Sequence, residues 1–230
     1  MAIEAVIFDV DGTLVDTNPV HVDAWQRALR RYGYAVPDAQ VAEEVGKGGD
    51  HLVPSVIGDA EDALHGDELR EAHGEEFLHL IALRPVRAFP GVDALFDALQ
   101  ARGLRLALAT SGKMPYLDAT LESAHLGVKL LVEEIVTADD VASSKPAPDL
   151  VVVAVRKLGL TPAQCALVGD TPHDGEACRQ AGVPFIGLRC GGWSEEALRQ
   201  AGASSTWADP VDLLQHLDAA LASAVAAPPA

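Results

Sequence analysis

The 230-residue sequence contains few cysteines and no long apolar run. Cys165, Cys178 and Cys190 form neither a CxxC pair nor a Cys/His ligand spacing, which argues against a disulfide framework and a zinc site. No segment of about 18 apolar residues occurs, and Asp9 and Asp11 interrupt the N-terminal region before a signal-peptide hydrophobic stretch is complete. We therefore expect a cytoplasmic protein that neither spans a membrane nor carries an export signal.

Basic residues are also scarce, with 17 Lys and Arg against 34 Asp and Glu and a formal net charge of −17. A surface this acidic repels nucleic-acid backbones and anionic lipids, so we expect neither nucleic acid nor a membrane as a partner. An anionic substrate would need a local feature to attract it. The 49% apolar content excludes general disorder, and the length suits one large domain or a domain with a smaller insertion. Nothing in the sequence indicates an oligomeric state.

Short apolar runs alternate with helical patterns along most of the chain. Each run is continuously apolar and ends at polar residues, which predicts strands buried on both faces of a parallel sheet; the runs are 5–8, 104–109, 165–168 and 184–188. Glycine or proline marks the ends of the intervening helices, predicted after Gly91, over 150–158 and from about 173 to 181. This order predicts an α/β fold with a doubly wound, mostly parallel, Rossmann-like sheet.

Residues 17–85 break this alternation. Val22, Trp25 and Leu29 mark one amphipathic helix, residues 69–81 mark another, and a glycine-rich turn at 46–49 lies between them. We predict that 17–85 form an all-helical domain inserted into an α/β core made of 1–16 and 86–230. Residues 219–230, which end in Ala-Ala-Pro-Pro-Ala, are predicted to be a frayed tail.

Two acidic motifs follow predicted strands. Asp9 and Asp11 come directly after the first run, and side chains at i and i+2 of an extended segment point to the same side. Asp170 and Asp174 follow another run, and because parallel strands end at one sheet edge, the four carboxylates should converge there. Gly12 permits a sharp turn, which the Thr13 hydroxyl is expected to tie to backbone groups.

Converging carboxylates need a compensating cation or proton. Their hard oxygen atoms suit Mg²⁺, and without Mg²⁺ and Lys145 the site would repel a phosphate dianion. Thr110 and Ser111 follow the second predicted strand and can donate hydroxyl hydrogen bonds to phosphate oxygens. The residues therefore predict a Mg²⁺ site that accepts a phosphorylated ligand.

Four motifs in order, Asp9 to Thr13, Thr110, Lys145 and Gly169 to Asp174, resemble those of the haloacid dehalogenase-like (HAD) superfamily of phosphohydrolases. The helical insertion falls where the phosphoglycolate phosphatase and β-phosphoglucomutase relatives have a small helical cap. The resemblance implies a Mg²⁺-dependent phosphatase that hydrolyses a small phosphorylated metabolite through an aspartyl-phosphate.

The resemblance also implies individual roles. Asp9 would be the nucleophile, and Asp11 would protonate the leaving oxygen and then deprotonate the attacking water. Thr110 and Lys145 would hold the transferring phosphoryl group. The Mg²⁺ would be bound by Asp9, the backbone carbonyl of Asp11 and Asp170, with Asp174 close by as a ligand or hydrogen-bond acceptor. A helix cap is the alternative role for Asp174.

Outside these motifs, three residues are candidates for the neighbourhood of the substrate. His21 either lines the pocket or packs at the hinge, and Lys47 either reaches the substrate's non-phosphate end or lies on the surface. His173 either faces the site's mouth or simply begins a helix. Three other histidines lack a metal-ligand spacing of i, i+4 and are predicted to be surface or core residues of the insertion: His65, His73 and His79.

Several alternatives share parts of this pattern. A phosphomutase of the β-phosphoglucomutase type is the nearest, but such relatives usually carry Glu-Asp in place of Gly169-Asp170 and an arginine in the cap turn. A haloacid dehalogenase needs neither an acid at Asp11 nor Mg²⁺. A phospho-accepting signalling module gathers similar acids but is much shorter and has no cap. Phosphoglycolate, sugar phosphates and nucleoside monophosphates all stay open as substrates.

Overall fold

The computed structural model describes residues 2–226 and contains a six-stranded parallel sheet. The strand order is β3-β2-β1-β4-β5-β6, and every neighbouring pair is parallel. The strands are β1 (Ala5–Phe8), β2 (Arg105–Ala109), β3 (Glu134–Val136), β4 (Cys165–Gly169), β5 (Phe185–Leu188) and β6 (Ala203–Trp207). The predicted α/β fold with a doubly wound parallel sheet is confirmed.

Both faces of the sheet are covered, which explains the uninterrupted apolar runs. Val6 and Phe8 pack into one apolar cluster, and Ala5 and Ile7 pack into another on the opposite face. Buried side chains of four helices complete the first cluster: α5 (Val92–Ala101), α6 (Met114–Ser123), α10 (Pro210–Gln215) and α11 (Leu217–Ala226). Three helices complete the second: α7 (Asp149–Lys157), α8 (Pro172–Ala181) and α9 (Glu195–Gln200).

Four helices lie between β1 and α5. They are α1 (Asn18–Arg31), α2 (Asp38–Glu44), α3 (Gly49–Ile57) and α4 (Asp59–Leu83). Trp25, Leu29 and Leu69 contribute to a separate apolar cluster within this group, whereas Phe77 and Leu80 at the end of α4 pack into the core beside the sheet. The group, called here the helical insertion, thus has its own small core and a firm attachment to the main one.

Two expectations from the sequence need correction. Strands β3 and β6 lie at the two edges of the sheet and were not predicted, because β3 has three residues and β6 reads Ala-Ser-Ser-Thr-Trp, with only partial burial. The frayed tail is wrong for residues 219–226, which belong to α11 and bury Ala220 and Ala224 against the core. Residues 227–230 of that predicted tail lie outside the described residues.

Among residues 2–226, no helix combines the length and apolar character needed to cross a membrane.

Candidate active site

The register of the central strands brings the chemically important loops together. Phe8, the last residue of β1, pairs with Leu108 of β2 and Val168 of β4. The segments that follow these strands therefore leave the sheet at the same edge, where an open α/β sheet binds its ligands. They carry Asp9, Asp11, Thr110 and Asp170.

Lys145 is completely buried at this edge and touches two carboxylates. Its Nζ lies 2.5 Å from Asp9 Oδ1 and 2.7 Å from Asp174 Oδ1, and it donates to the carbonyl oxygen of Ala109 at 2.9 Å. Burial works to lower the pKa of the lysine, but Asp174 and Asp9 outweigh burial and raise the pKa above its ordinary value. The ammonium group is therefore charged and held directly against Asp9.

Asp9, Asp170 and Asp174 form a buried cluster in which one carboxylate oxygen from each lies within 4.8 Å of the others. Burial, opposed by Lys145 and reinforced by Asp174 and Asp11, raises the pKa of Asp9 to about 7. Burial together with Asp9 and Asp174 raises the pKa of Asp170 well above its ordinary value. The cluster has three close carboxylates but only one lysine, which contacts Asp9 and Asp174, so further positive charge would stabilise it, and its hard oxygen donors fit Mg²⁺.

Two residues that sequence reasoning did not assign to the cluster hold Asp170 in place. Thr13 Oγ1 donates to Asp170 Oδ1 at 2.8 Å, so this hydroxyl ties the turn to a carboxylate and not, as expected, to the backbone. Asn18 Nδ2 donates to Asp170 Oδ2 and to the carbonyl oxygen of Gly191, both at 3.0 Å. Such supporting hydrogen bonds fix the direction of a metal ligand.

Asp174 caps a helix, one of the two roles predicted for it, and also belongs to the acidic cluster. Its Oδ2 accepts hydrogen bonds from the backbone N–H and the hydroxyl of Thr171, at 3.1 and 2.7 Å, and so caps α8. Its Oδ1 faces Lys145. The helix cap and the charged cluster therefore share one carboxylate.

The Asp11 carboxylate lies outside the three-membered cluster and faces the helical insertion. It accepts hydrogen bonds from Thr17 Oγ1 at 2.7 Å and from Thr110 Oγ1 at 3.3 Å, and His21 Nε2 lies 3.3 Å from Oδ1. Burial acts to raise the pKa of Asp11, but His21 and the two hydroxyl groups hold it below its ordinary value. The side chains thus present Asp9 and Asp11 in different electrostatic environments.

A cavity of about 240 Å³ lies between the sheet edge and the helical insertion. From the core, the cavity is lined by Asp9, Asp11, Thr110 and Ser111. From the insertion, it is lined by His21, Trp25, Lys47, Asp50, Arg70 and His73.

The predicted substrate-binding candidates in the cavity already have protein partners. The Nζ of Lys47 forms an ion pair with Glu44 and lies 3.2 Å from Ser55 Oγ. Ser111 Oγ donates to the carbonyl oxygen of Gly46 at 3.2 Å. Predicted candidates His21, Lys47 and Ser111 therefore reach the cavity, but each already has a protein partner.

His173 does not line this cavity. Its Nε2 lies 3.0 Å from the carbonyl oxygen of Glu43, so the ring joins α8 to α2. His73, in contrast, lines the cavity; it lacks a metal-ligand spacing of i, i+4 and was predicted to be only a surface or core residue of the insertion, and it is buried. The pattern along α4 contains no feature that distinguishes a cavity-lining histidine from a core residue.

The chain is similar in sequence to a known family of hydrolases. Residues 3–182 match the family model for haloacid dehalogenase-like hydrolases. A phosphoglycolate phosphatase of Rhodospirillum rubrum is 34% identical over 215 residues, covering 90% of this chain and 87% of that protein. A phosphoglycolate phosphatase of Yersinia pestis is 35% identical over 217 residues, covering 93% and 92%.

Solved structures agree with the family model. A hydrolase from Pseudomonas syringae has a TM-score of 0.86 and 31% identity, covering 95% of this chain and 99% of that chain. CbbY from Rhodobacter sphaeroides in complex with phosphate has a TM-score of 0.74 and 25% identity, covering 92% and 96%. The chain belongs to the haloacid dehalogenase-like hydrolase family, as the sequence motifs predicted, and is a phosphoric monoester hydrolase.

Proposed function

We propose that this hydrolase is a Mg²⁺-dependent phosphatase that acts on a small phosphorylated metabolite through a phosphorylated Asp9. The observation that carries the proposal is the placement of the Asp9 carboxylate, which lines the cavity while Lys145 and the acidic cluster hold it from behind. A carboxylate fixed in this way is oriented for attack on a phosphorus atom in the cavity.

The chain's own residues supply the remaining steps. An Asp9 oxygen attacks phosphorus, and the bond to the leaving oxygen breaks as that oxygen takes a proton from Asp11. The lowered pKa of Asp11 favours its ionised form at neutral pH, but an arriving phosphate dianion favours the protonated form because like charges repel. Asp11 then removes a proton from the water that releases phosphate from Asp9. Lys145 offsets negative charge throughout.

Asp9, Asp170 and Asp174, with the backbone carbonyl of Asp11, would hold the Mg²⁺. When bound, the ion supplies positive charge that lets a phosphate approach ionised carboxylates. The Thr110 hydroxyl lines the same cavity, accepts from the Gly112 N–H at 3.0 Å, and would donate its proton to a phosphoryl oxygen instead of to Asp11.

The helical insertion, residues 17–85, is proposed to act as a cap over the site. Its loop contacts the core next to the buried lysine, since the Gly48 N–H donates to the carbonyl oxygen of Lys145 at 3.3 Å. Asp50 Oδ2 accepts from the backbone N–H of Ser144 at 2.9 Å. These contacts seal one side of the cavity, and a sealed site excludes bulk water from the phosphorylated aspartate.

The cavity favours a short substrate. Its volume is below the roughly 300 Å³ at which ligand pockets for drug-sized molecules begin. Phosphoglycolate is our first choice because curated relatives with that specificity cover most of the chain, and short sugar phosphates are the next.

We further propose a cytoplasmic location, since all three cysteines, which lie in the described part of the chain, are unpaired.

A substrate panel with a nucleophile variant tests the proposal. We expect phosphate release from 2-phosphoglycolate or a sugar phosphate with Mg²⁺ but not with EDTA. Asp9→Asn should fold normally and lose turnover by roughly three orders of magnitude or more, because an amide cannot form the acyl-phosphate. Asp97→Asn, an exposed position on α5, is the matched control. Near-normal turnover by Asp9→Asn would contradict the proposal, and conversion of a sugar 1-phosphate to its 6-phosphate isomer would indicate a mutase.

A further inference from the structure

A stack of rings forms the wall of the cavity beside Asp11. The His73 ring lies nearly parallel to Trp25, with centroids 4.0 Å apart, and the His21 ring lies nearly parallel to Phe77 at 4.1 Å. Tyr116 meets His73 edge-on at 6.4 Å. His73 is 7% exposed, with Trp25 of α1 stacked on its ring and Tyr116 of α6 against its edge.

The two histidines and Asp11 form one continuous chain of polar contacts. His21 Nε2 lies 3.3 Å from Asp11 Oδ1, and His21 Nδ1 lies 3.2 Å from His73 Nε2. Because a carboxylate only accepts, His21 must carry a proton on Nε2 to bond to Asp11. The contact between the two rings then needs one further proton, carried either by His21 Nδ1 or by His73 Nε2.

His73 suits this contact because it stays neutral. Burial lowers the pKa of His73 well below its ordinary value, and the nearby His21 lowers it further. A neutral imidazole can accept at Nε2 from a charged His21 or donate from Nε2 to a neutral one, so the contact persists in either state of His21. A second charged histidine would remove that possibility, since both facing nitrogens would then be donors.

We propose that His73 is a positioning residue, which fixes the ring of His21 through Nε2 and thereby holds the Asp11 carboxylate toward the substrate. The inference rests on the proposed acid and base role of Asp11. Stacking on Trp25 explains why the position is aromatic, but stacking alone does not require a nitrogen 3.2 Å from His21. A phenylalanine at position 73 would preserve the stack and leave Nδ1 of the partly buried His21 without its partner.

Two substitutions separate hydrogen bonding from packing. His73→Phe keeps the ring and removes the nitrogen, whereas His73→Gln gives up the ring and can restore a polar group near His21. His79→Gln, at an exposed position on the same helix, is the control. Each variant is assayed with the best alkyl phosphate from the substrate panel and with p-nitrophenyl phosphate, whose leaving group needs little protonation.

We expect His73→Phe to lower kcat/KM for the alkyl phosphate by about 5- to 100-fold, which is the cost of leaving a buried polar group unpaired. The loss with p-nitrophenyl phosphate should be several times smaller, and His73→Gln should recover most of the alkyl phosphate activity. Wild-type activity in His73→Phe would overturn the inference. Equal losses with both substrates, without recovery in His73→Gln, would also overturn it and assign His73 to packing.

Nitrogen NMR of the histidine rings gives a test that does not depend on turnover. The wild-type protein should show a protected ring N–H at the contact between His21 and His73, and His73→Phe should lose this signal because no nitrogen then faces His21 Nδ1. Absence of that proton in the wild-type protein would overturn the inference even if the enzyme is active. A protein that shows the proton but releases phosphate from no substrate would refute the proposed function while supporting the contact itself.

Discussion

Gly191 shows how one small residue leaves room for a charged one. A Cβ atom built at this position would lie 1.7 Å from Asp170 Oδ2 and 2.4 Å from its Cγ, and the Gly191 carbonyl also accepts from Asn18. The loop after β5 therefore packs its backbone directly against the Asp170 carboxylate. Any side chain here would displace that carboxylate or the loop.

Gly191→Ala should consequently weaken Mg²⁺ binding by about 10- to 100-fold, the usual cost of disturbing the support of a metal ligand. The Mg²⁺ concentration needed for half-maximal phosphate release measures the effect. Gly127→Ala is the control, because a Cβ there meets no atom within 4 Å. Unchanged Mg²⁺ dependence in Gly191→Ala would mean that Asp170 is not held by this contact.

The sequence predicted the carboxylates of the site better than the residues that support them. Asp9 and Asp170 could be predicted because each follows a recognisable buried strand, and parallel strands end at one edge of a sheet. Asn18 and His73 were not, since each lies on a helix of the insertion and reaches the site only through the way α1 and α4 pack. Spacing within one helix does not encode that packing.

At the scale of elements, the segment from Gly46 into α3 joins the insertion to the loop that carries Lys145. Asp50 accepts from the Ser144 N–H, and His51 Nε2 lies 2.8 Å from Ser143 Oγ. Asp50→Ala removes an acceptor from this contact and should lower kcat/KM about 2- to 10-fold through a less populated closed arrangement.

Asp50→Asn keeps an acceptor oxygen at the same place and should lose less activity than Asp50→Ala. The exposed Asp59→Ala, at the start of α4, controls for the loss of a negative charge from the insertion. Equal activity in Asp50→Ala and the wild-type enzyme, measured by steady-state phosphate release, would show that this contact does not contribute to closure.

The elements of the sheet were predictable where burial is complete. Continuous apolar runs indicated β1, β2, β4 and β5, whose side chains are almost all buried. The edge strands β3 and β6 are short or polar, since each has a neighbouring strand on one side only and all of their residues except Val136 are half-buried. Glycine caps also marked helix ends correctly: Gly182 ends α8 in the left-handed conformation, as expected.

For the whole molecule, we expect the buried acids to make stability depend on pH and on Mg²⁺ together. The folded-state pKa values of Asp9, about 7, and Asp170 are raised, whereas an unfolded chain has aspartate pKa values near 3.9. The metal-free folded state therefore binds more protons than the unfolded state between about pH 4 and 7. Over that window these two groups make the protein less stable as the pH rises, because folding holds ionised carboxylates together.

Mg²⁺ in the cluster would bind the deprotonated carboxylates and reverse this loss, so we expect the rise in Tm caused by Mg²⁺ to be larger at pH 8 than at pH 5.5. Thermal unfolding with Mg²⁺ or EDTA at matched ionic strength measures the difference. Asp170→Asn removes one of the raised carboxylates; its metal-free Tm should fall less between these pH values, and its response to Mg²⁺ should be smaller. Because the net charge is −17, general screening of the acidic surface by a divalent ion would also raise Tm. The exposed Asp97→Asn variant is the control for this effect. If screening were the whole cause, the Tm of Asp97→Asn and that of Asp170→Asn would rise equally with Mg²⁺. A Mg²⁺ effect that is equal at both pH values, or equal in the two variants, would place the ion on the acidic surface and not in the buried cluster.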